Sequence, residues 1–98
     1  MGHSLKTAAF VMESRIADAA GGDADALYEL GVAYSTGASG SEVDYIEAHK
    51  WFNLAALNGN GLAQESRAEV ADYMTAREIA EAQRQARAWL SATVRRAA

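Results

Sequence analysis

An all-α domain of about five helices, arranged in antiparallel pairs, is the fold this sequence predicts, and three observations predict it. Proline is absent from all 98 residues. Alanine, leucine, glutamate and arginine, which lose little side-chain freedom in a helix, dominate the segments between glycines. Glycine clusters at Gly21-Gly22, Gly37 to Gly40 and Gly59 to Gly61 then cut the chain into blocks of helical length, each a natural stop signal.

The first helix is expected over about residues 5–20, where Leu5, Ala8, Ala9, Met12, Ile16, Ala19 and Ala20 recur at spacings of three and four. The second, about 24–36, follows Asp23, whose carboxylate suits an N-cap because it accepts from the unpaired N–H groups of the first turn. Leu27, Leu30, Gly31 and Tyr34 share one of its faces. Gly31 costs about 1 kcal/mol relative to alanine inside a helix, so a close approach by a neighbouring helix is its expected justification.

The third helix, about 44–58, has Asp44 as its cap, with Glu47 placed to reach back toward the cap N–H. Ala48, Trp51 and Ala55 form one apolar stripe, and Tyr45, His49, Phe52 and Ala56 form a second beside it. A helix apolar over so much of its circumference is expected to be sandwiched. The fourth, about 61–73, carries Leu62, Arg67 and two acids and reads as a polar outer layer. The fifth, about 76–95, opens on the capping box Thr75-x-x-Glu78. Its expected buried stripe is Ile79, Ala82, Ala86, Trp89 and Val94, with Leu90 beside them. Only Met74 and Thr75 separate it from the fourth, which predicts a tight antiparallel hairpin of the two. Arg95 and Arg96 fall in the last turn, where cations meet the negative end of the helix dipole.

Length allows one domain over residues 1–98, burying roughly 60–65% of the surface its unfolded chain exposes, so the core is thin. No run of about 18 apolar residues is present to span a membrane, and nothing at the N-terminus has the composition of a secretory leader, so a cytoplasmic location is expected. Met1-Gly2-His3-Ser4-Leu5 reads equally well as a native start or as a cloning remnant. With no cysteine, disulfides and thiolate chemistry drop out and helix packing has to supply the stability. Net charge is −4, unevenly placed: residues 1–72 hold four Lys/Arg against eleven Asp/Glu, and residues 73–98 hold five against two. Such asymmetry suits docking of a charged partner, although solvated helix faces account for most clusters of this size.

Candidate chemistry is sparse. His3 and His49 are the only histidines, and neither has a second ligand at metal spacing, so no metal site and no cofactor are expected. Asp23, Asp25 and Glu29 lie at a helix start, where compensation of the dipole explains them, and no catalytic residue is assigned. Ser39-Gly40-Ser41 lacks the lysine of a phosphate-cradling loop and reads as a connector. Arg77, Arg84, Arg87, Arg95 and Arg96 lack interleaved stacking aromatics in an acidic protein, which disfavours nucleic-acid binding. Trp51 and Trp89 fall on core stripes. Tyr28, Tyr45 and Phe52, with His49 on the same stripe as the last two, are the expected partner-binding residues, because amphipathic aromatics are enriched at interfaces.

The run Ala26-Leu27-Tyr28-Glu29-Leu30-Gly31-Val32-Ala33-Tyr34 is followed by Gly37, Gly40, Asp44, Ala48, Trp51, Ala55-Ala56, Gly59 and Ala63-Gln64. In order and spacing it resembles one complete repeat of the Sel-one-like family, relatives of the tetratricopeptide repeat. The full repeat falls at about 24–60, and a faint echo of its first helix, offset by 37 residues, begins at Gly61. Two departures stand out. The loop has an extra residue, with Ser41 where the family usually places valine; and Arg67-Ala68 replaces Leu-Gly in the next repeat, whose glycine loop is missing. Residues 61–95 therefore read as a partial repeat and a closing helix of the kind that follows such repeats in bacterial proteins.

The resemblance implies a short right-handed α/α superhelix, tetratricopeptide-like, acting as a protein–protein interaction module or adaptor without catalysis. One full repeat is short of the roughly three a solenoid needs to bury its faces, and the third helix is apolar on two sides. Those two features together predict a homodimer through a helix face. The alternatives are a ligand-binding accessory subunit or small enzyme, which would show converging polar groups in one cleft, and nucleic-acid contact through the basic C-terminal helix.

Overall fold

The computed structural model describes residues 3–40 and 42–97 and is all-α, with no strand among the described residues. The helices are α1 (His3–Ala20), α2 (Ala24–Thr36), α3 (Tyr45–Leu57), α4 (Ala63–Ala71) and α5 (Ala76–Ala97), with one 3-10 turn at Ala38–Gly40. Ser41 lies outside the described residues, as do the side chains of His3, Leu5, Ala8, Ala9, Arg95 and Arg96.

Local chemistry sets the helix ends. Asp23, in extended backbone, accepts from the N–H groups of Asp25 and Ala26 at 2.9 and 3.1 Å and so starts α2. Gly37 ends it in the left-handed region (φ +78°), donating its N–H to the Ala33 carbonyl. The capping box at α5 forms as expected: Thr75 N–H donates to Glu78 Oε1 at 2.8 Å, and Glu78 N–H donates to Thr75 Oγ1 at 3.1 Å.

At α3 only half of the expected box forms. Asp44 accepts from Glu47 N–H at 3.1 Å, but the N–H of Asp44 donates across to the Tyr34 carbonyl, and the Glu47 carboxylate instead accepts from Trp51 Nε1 at 2.9 Å. The indole N–H sits one turn along the helix and is half-sheltered, so it competes successfully for the glutamate. Lys50 joins the same carboxylate at 2.8 Å and lies 4.6 Å from the Trp51 ring centroid.

From α1 to α4 successive helices run antiparallel. Arg15 pairs with Glu29 across α1 and α2, the Gly31 backbone meets Phe52 across α2 and α3, and Tyr45 meets Tyr73 at the far ends of α3 and α4. The sandwiching expected for α3 is realised, since α2, α4 and α5 all pack against it. Leu27, Leu30 and Leu54 are the largest fully buried side chains, and Leu54 belongs to the core although neither predicted stripe included it. It lies three residues from Trp51, on the same face.

The predicted hairpin of the fourth and fifth helices does not form, because α5 packs against α3. The Trp51 and Trp89 rings meet in a T-shaped arrangement, with centroids 4.7 Å apart and planes at 79°. The physical reason lies in α4: it has nine residues and buries only Ala63 and Val70, both needed toward α3, so it has no apolar face left for α5. Two described members of the predicted stripes are exposed. Val94 is 65% exposed because α5 runs on past its contact with α3, and Ile16 sits at the exposed edge of α1. As an outer layer α4 matches expectation.

Candidate partner-binding surface

The centre of the surface is the seam between α2 and α3. A Cβ built on Gly31 would lie 2.5 Å from Phe52 Cδ1 and Cε1, so the absent side chain at Gly31 is the space that the phenyl ring fills. Tyr28, one turn earlier on α2, tilts against the same ring with centroids 5.4 Å apart, and its hydroxyl lies 3.4 Å from Ser66 Oγ on α4. Phe52 is thereby 2% exposed and forms a small cluster with Ala48 and Val70, against which Tyr28, Val32, Tyr34, Tyr45 and Met74 pack.

His49 is 4% exposed, and its buried Nδ1 has no hydrogen-bond partner. Burial pushes the imidazole below its ordinary pKa, and the positive charge of Arg67 on α4 pushes in the same direction. Arg67 is itself held by Asn53, which accepts from its Nη1. The neutral ring is therefore the form that this environment holds.

Tyr45 begins α3 and stacks on Tyr73, with centroids 5.3 Å apart and planes 16° from parallel. Tyr73 is 72% exposed, and Val43, just before α3, is exposed as well. Behind them the Tyr34 hydroxyl is pushed above its ordinary pKa, first by burial and then by the charges of Glu47 and Asp44.

Of the four residues expected to contact a partner, Tyr28, His49 and Phe52 thus gather at the junction of α2, α3 and α4. Tyr45 stands at the N-terminal end of α3. The accessible rings are those of Tyr28 and Tyr45, with Phe52 and His49 buried behind them. Tyr73, the last residue of the range expected for the fourth helix, was missed by sequence reasoning, which read that helix as a polar outer layer. Its signal would have been a large aromatic at a helix end, opposite Tyr45 if the third and fourth helices were paired.

Among the described residues no three or more His, Cys, Asp or Glu side chains converge as metal ligands, and no helix is long and apolar enough to cross a membrane. No curated protein and no solved structure matches the chain. Residues 24–60 match the family model for the Sel1 repeat. That span opens on α2, takes in the glycine loop and α3, and closes on the glycine turn at Gly59, with Gly31 facing Phe52 at its centre. Repeats of this kind are in general protein–protein interaction modules without enzymatic activity. The helix pair α2–α3 is thus the part of the chain that matches the Sel1 repeat.

Proposed function

We propose that this protein is a non-catalytic adaptor that holds a partner chain on the α2–α3 side of its repeat, with Tyr28 and Tyr45 in contact and His49 and Phe52 shaping the surface from beneath. The observation that carries this reading is the Sel1 repeat at residues 24–60, folded as a closely packed helix pair with partly exposed tyrosines on it. Tyrosine supplies large contact area at a small entropy cost, which suits it to such a surface. We place the protein in the cytoplasm.

Affinity capture from the native host tests the reading. The wild-type chain is expected to retain a discrete set of proteins that a Tyr28→Ala/Tyr45→Ala variant, shown by circular dichroism to remain helical, releases. Identical captured sets would remove these tyrosines from the interface, and an empty wild-type capture would count against an adaptor altogether.

The homodimer belongs to the same proposal with a changed face. Both apolar stripes of α3 are covered by α2, α4 and α5 of the same chain, so self-association has to use other apolar side chains, of which Leu57 and Leu62 are largely exposed. A monomer mass by light scattering across micromolar concentrations would remove it.

A further inference from the structure

Because α2, α3 and α4 alternate in direction, the C-terminal end of α2, the N-terminal end of α3 and the C-terminal end of α4 meet at one end of the molecule, bringing Tyr34, Tyr45 and Tyr73 there. The two segments that carry the stacked rings, residues 42–47 and 69–73, contain Glu42, Asp44, Glu47, Glu69 and Asp72 and no Lys or Arg. Asp44 is engaged as a helix cap and Glu47 by Lys50 and Trp51. The exposed carboxylates of Glu42, Glu69 and Asp72 make no hydrogen bond or ion pair among the described residues. Glu69 lies one turn before Tyr73, and Asp72 is its neighbour in the chain. The bases nearest in sequence are Arg67, held by Asn53, Lys50, paired with Glu47, and Arg77, exposed in the first turn of α5.

We propose that the stacked Tyr45 and Tyr73 rings, with the exposed acids Glu42, Glu69 and Asp72 in the segments that carry them, form the seat for an arginine-bearing basic segment of the partner protein. This rests on the adaptor reading above and supplies the partner's chemistry. Three properties of the end fit a guanidinium. An exposed aromatic face attracts a cation through the ring quadrupole. The planar, weakly hydrated guanidinium stacks on a ring where a compact ammonium stays in water. Unengaged carboxylates beside the ring accept its N–H groups and steer a basic chain toward the site. An acidic or purely apolar segment would meet like charge or leave those carboxylates desolvated without partners.

A short fluorescent peptide alternating arginine with glycine, together with its lysine and glutamate counterparts, provides the probe, read by anisotropy. The arginine peptide is expected to bind, the lysine peptide to bind more weakly, and the glutamate peptide not to bind. Tyr73→Ala should weaken the arginine peptide roughly fivefold or more, Tyr73→Phe should retain most of the affinity, and Glu69→Lys/Asp72→Lys should abolish it. Tyr73 is mostly exposed, so the alanine variant keeps the fold, and an unchanged helical spectrum verifies that.

Equal binding by wild type and Tyr73→Ala, or no binding of the arginine peptide, overturns the proposal. So does a concentration-dependent dimer mass of the wild type alone that Tyr73→Ala abolishes, which would make a second copy the occupant. Host capture separates this seat from the reading it rests on: a partner kept by Tyr73→Ala but released by Tyr28→Ala overturns the seat and leaves the adaptor standing.

Discussion

At Gly31 two effects oppose each other, and their sizes decide the sign. Alanine in the middle of a helix is favoured over glycine by about 1 kcal/mol, yet at this position the new methyl group would press on the Phe52 ring, which is buried and has nowhere to move. Overpacking of that kind costs about 1–3 kcal/mol, so Gly31→Ala is expected to destabilise by a net amount on the order of 1 kcal/mol. Urea unfolding measures it, and Phe52→Leu, introduced on top of Gly31→Ala, should recover part of the loss. A more stable Gly31→Ala would mean that the helices do not meet there.

His49 supplies the pH counterpart. Its folded pKa lies below the unfolded imidazole value near 6.5, so the unfolded chain binds the additional proton as pH falls. The contribution is complete above that value and is lost as pH drops from about 6.5 toward the lowered folded pKa. Chemical denaturation between those limits should show stability falling with acid, and His49→Gln should flatten that part of the profile. An equally steep profile in the variant would place the titration elsewhere. Gly31 was legible in the sequence because a glycine inside a helical pattern calls for a close neighbour. The burial of His49 and Phe52 was not, since a stripe of apolar residues does not tell which of its members a neighbouring helix will cover.

Among the elements, the caps were the most legible feature, because they depend on residues three or four apart and on nothing distant. Thr75 shows how much one cap contributes: its hydroxyl satisfies Glu78 N–H while Glu78 satisfies its own N–H, at a helix start reached by no other capping side chain. Thr75→Ala should therefore cost about 1 kcal/mol, visible as a lower unfolding midpoint, with Thr75→Ser nearly neutral. No change in Thr75→Ala would show that water replaces the cap without loss. The half-formed box at α3 marks the boundary of such reasoning. Glu47 has the right spacing to reach back, but Trp51 and Lys50, also within a turn, present a stronger joint claim on its carboxylate. Packing partners were still less legible. The two-residue link expected between the fourth and fifth helices, four residues in the structure, suggested a hairpin, and the outcome turned on how little apolar surface α4 has to offer compared with α3.

For the molecule as a whole, the question is how one repeat helix pair covers the faces on which another repeat could stack. A repeat helix pair leaves an apolar face at each end, which in a longer solenoid the next repeat would cover. Here α5 closes one such face: Ala86 joins Trp51, Leu54 and Ala55 in one buried cluster, with Trp89 and Leu90 packed against it. At the other side Ala19 of α1 enters the same cluster, so both flanking helices are anchored in one core. Removing residues 76–98 would return Trp51 and Ala55 to water. Losing burial of an indole and its neighbours costs about 3–5 kcal/mol, a large part of the stability a domain this small can have. A chain ending at Thr75 is therefore expected either to lose cooperative unfolding or to associate through the bared α3 face, and sedimentation velocity together with thermal melting distinguishes the two. A monomeric truncated chain with the full-length midpoint would show that α5 is an appendage. The repeat would then stand by itself, and the closing of α3 by its own chain would have to be abandoned.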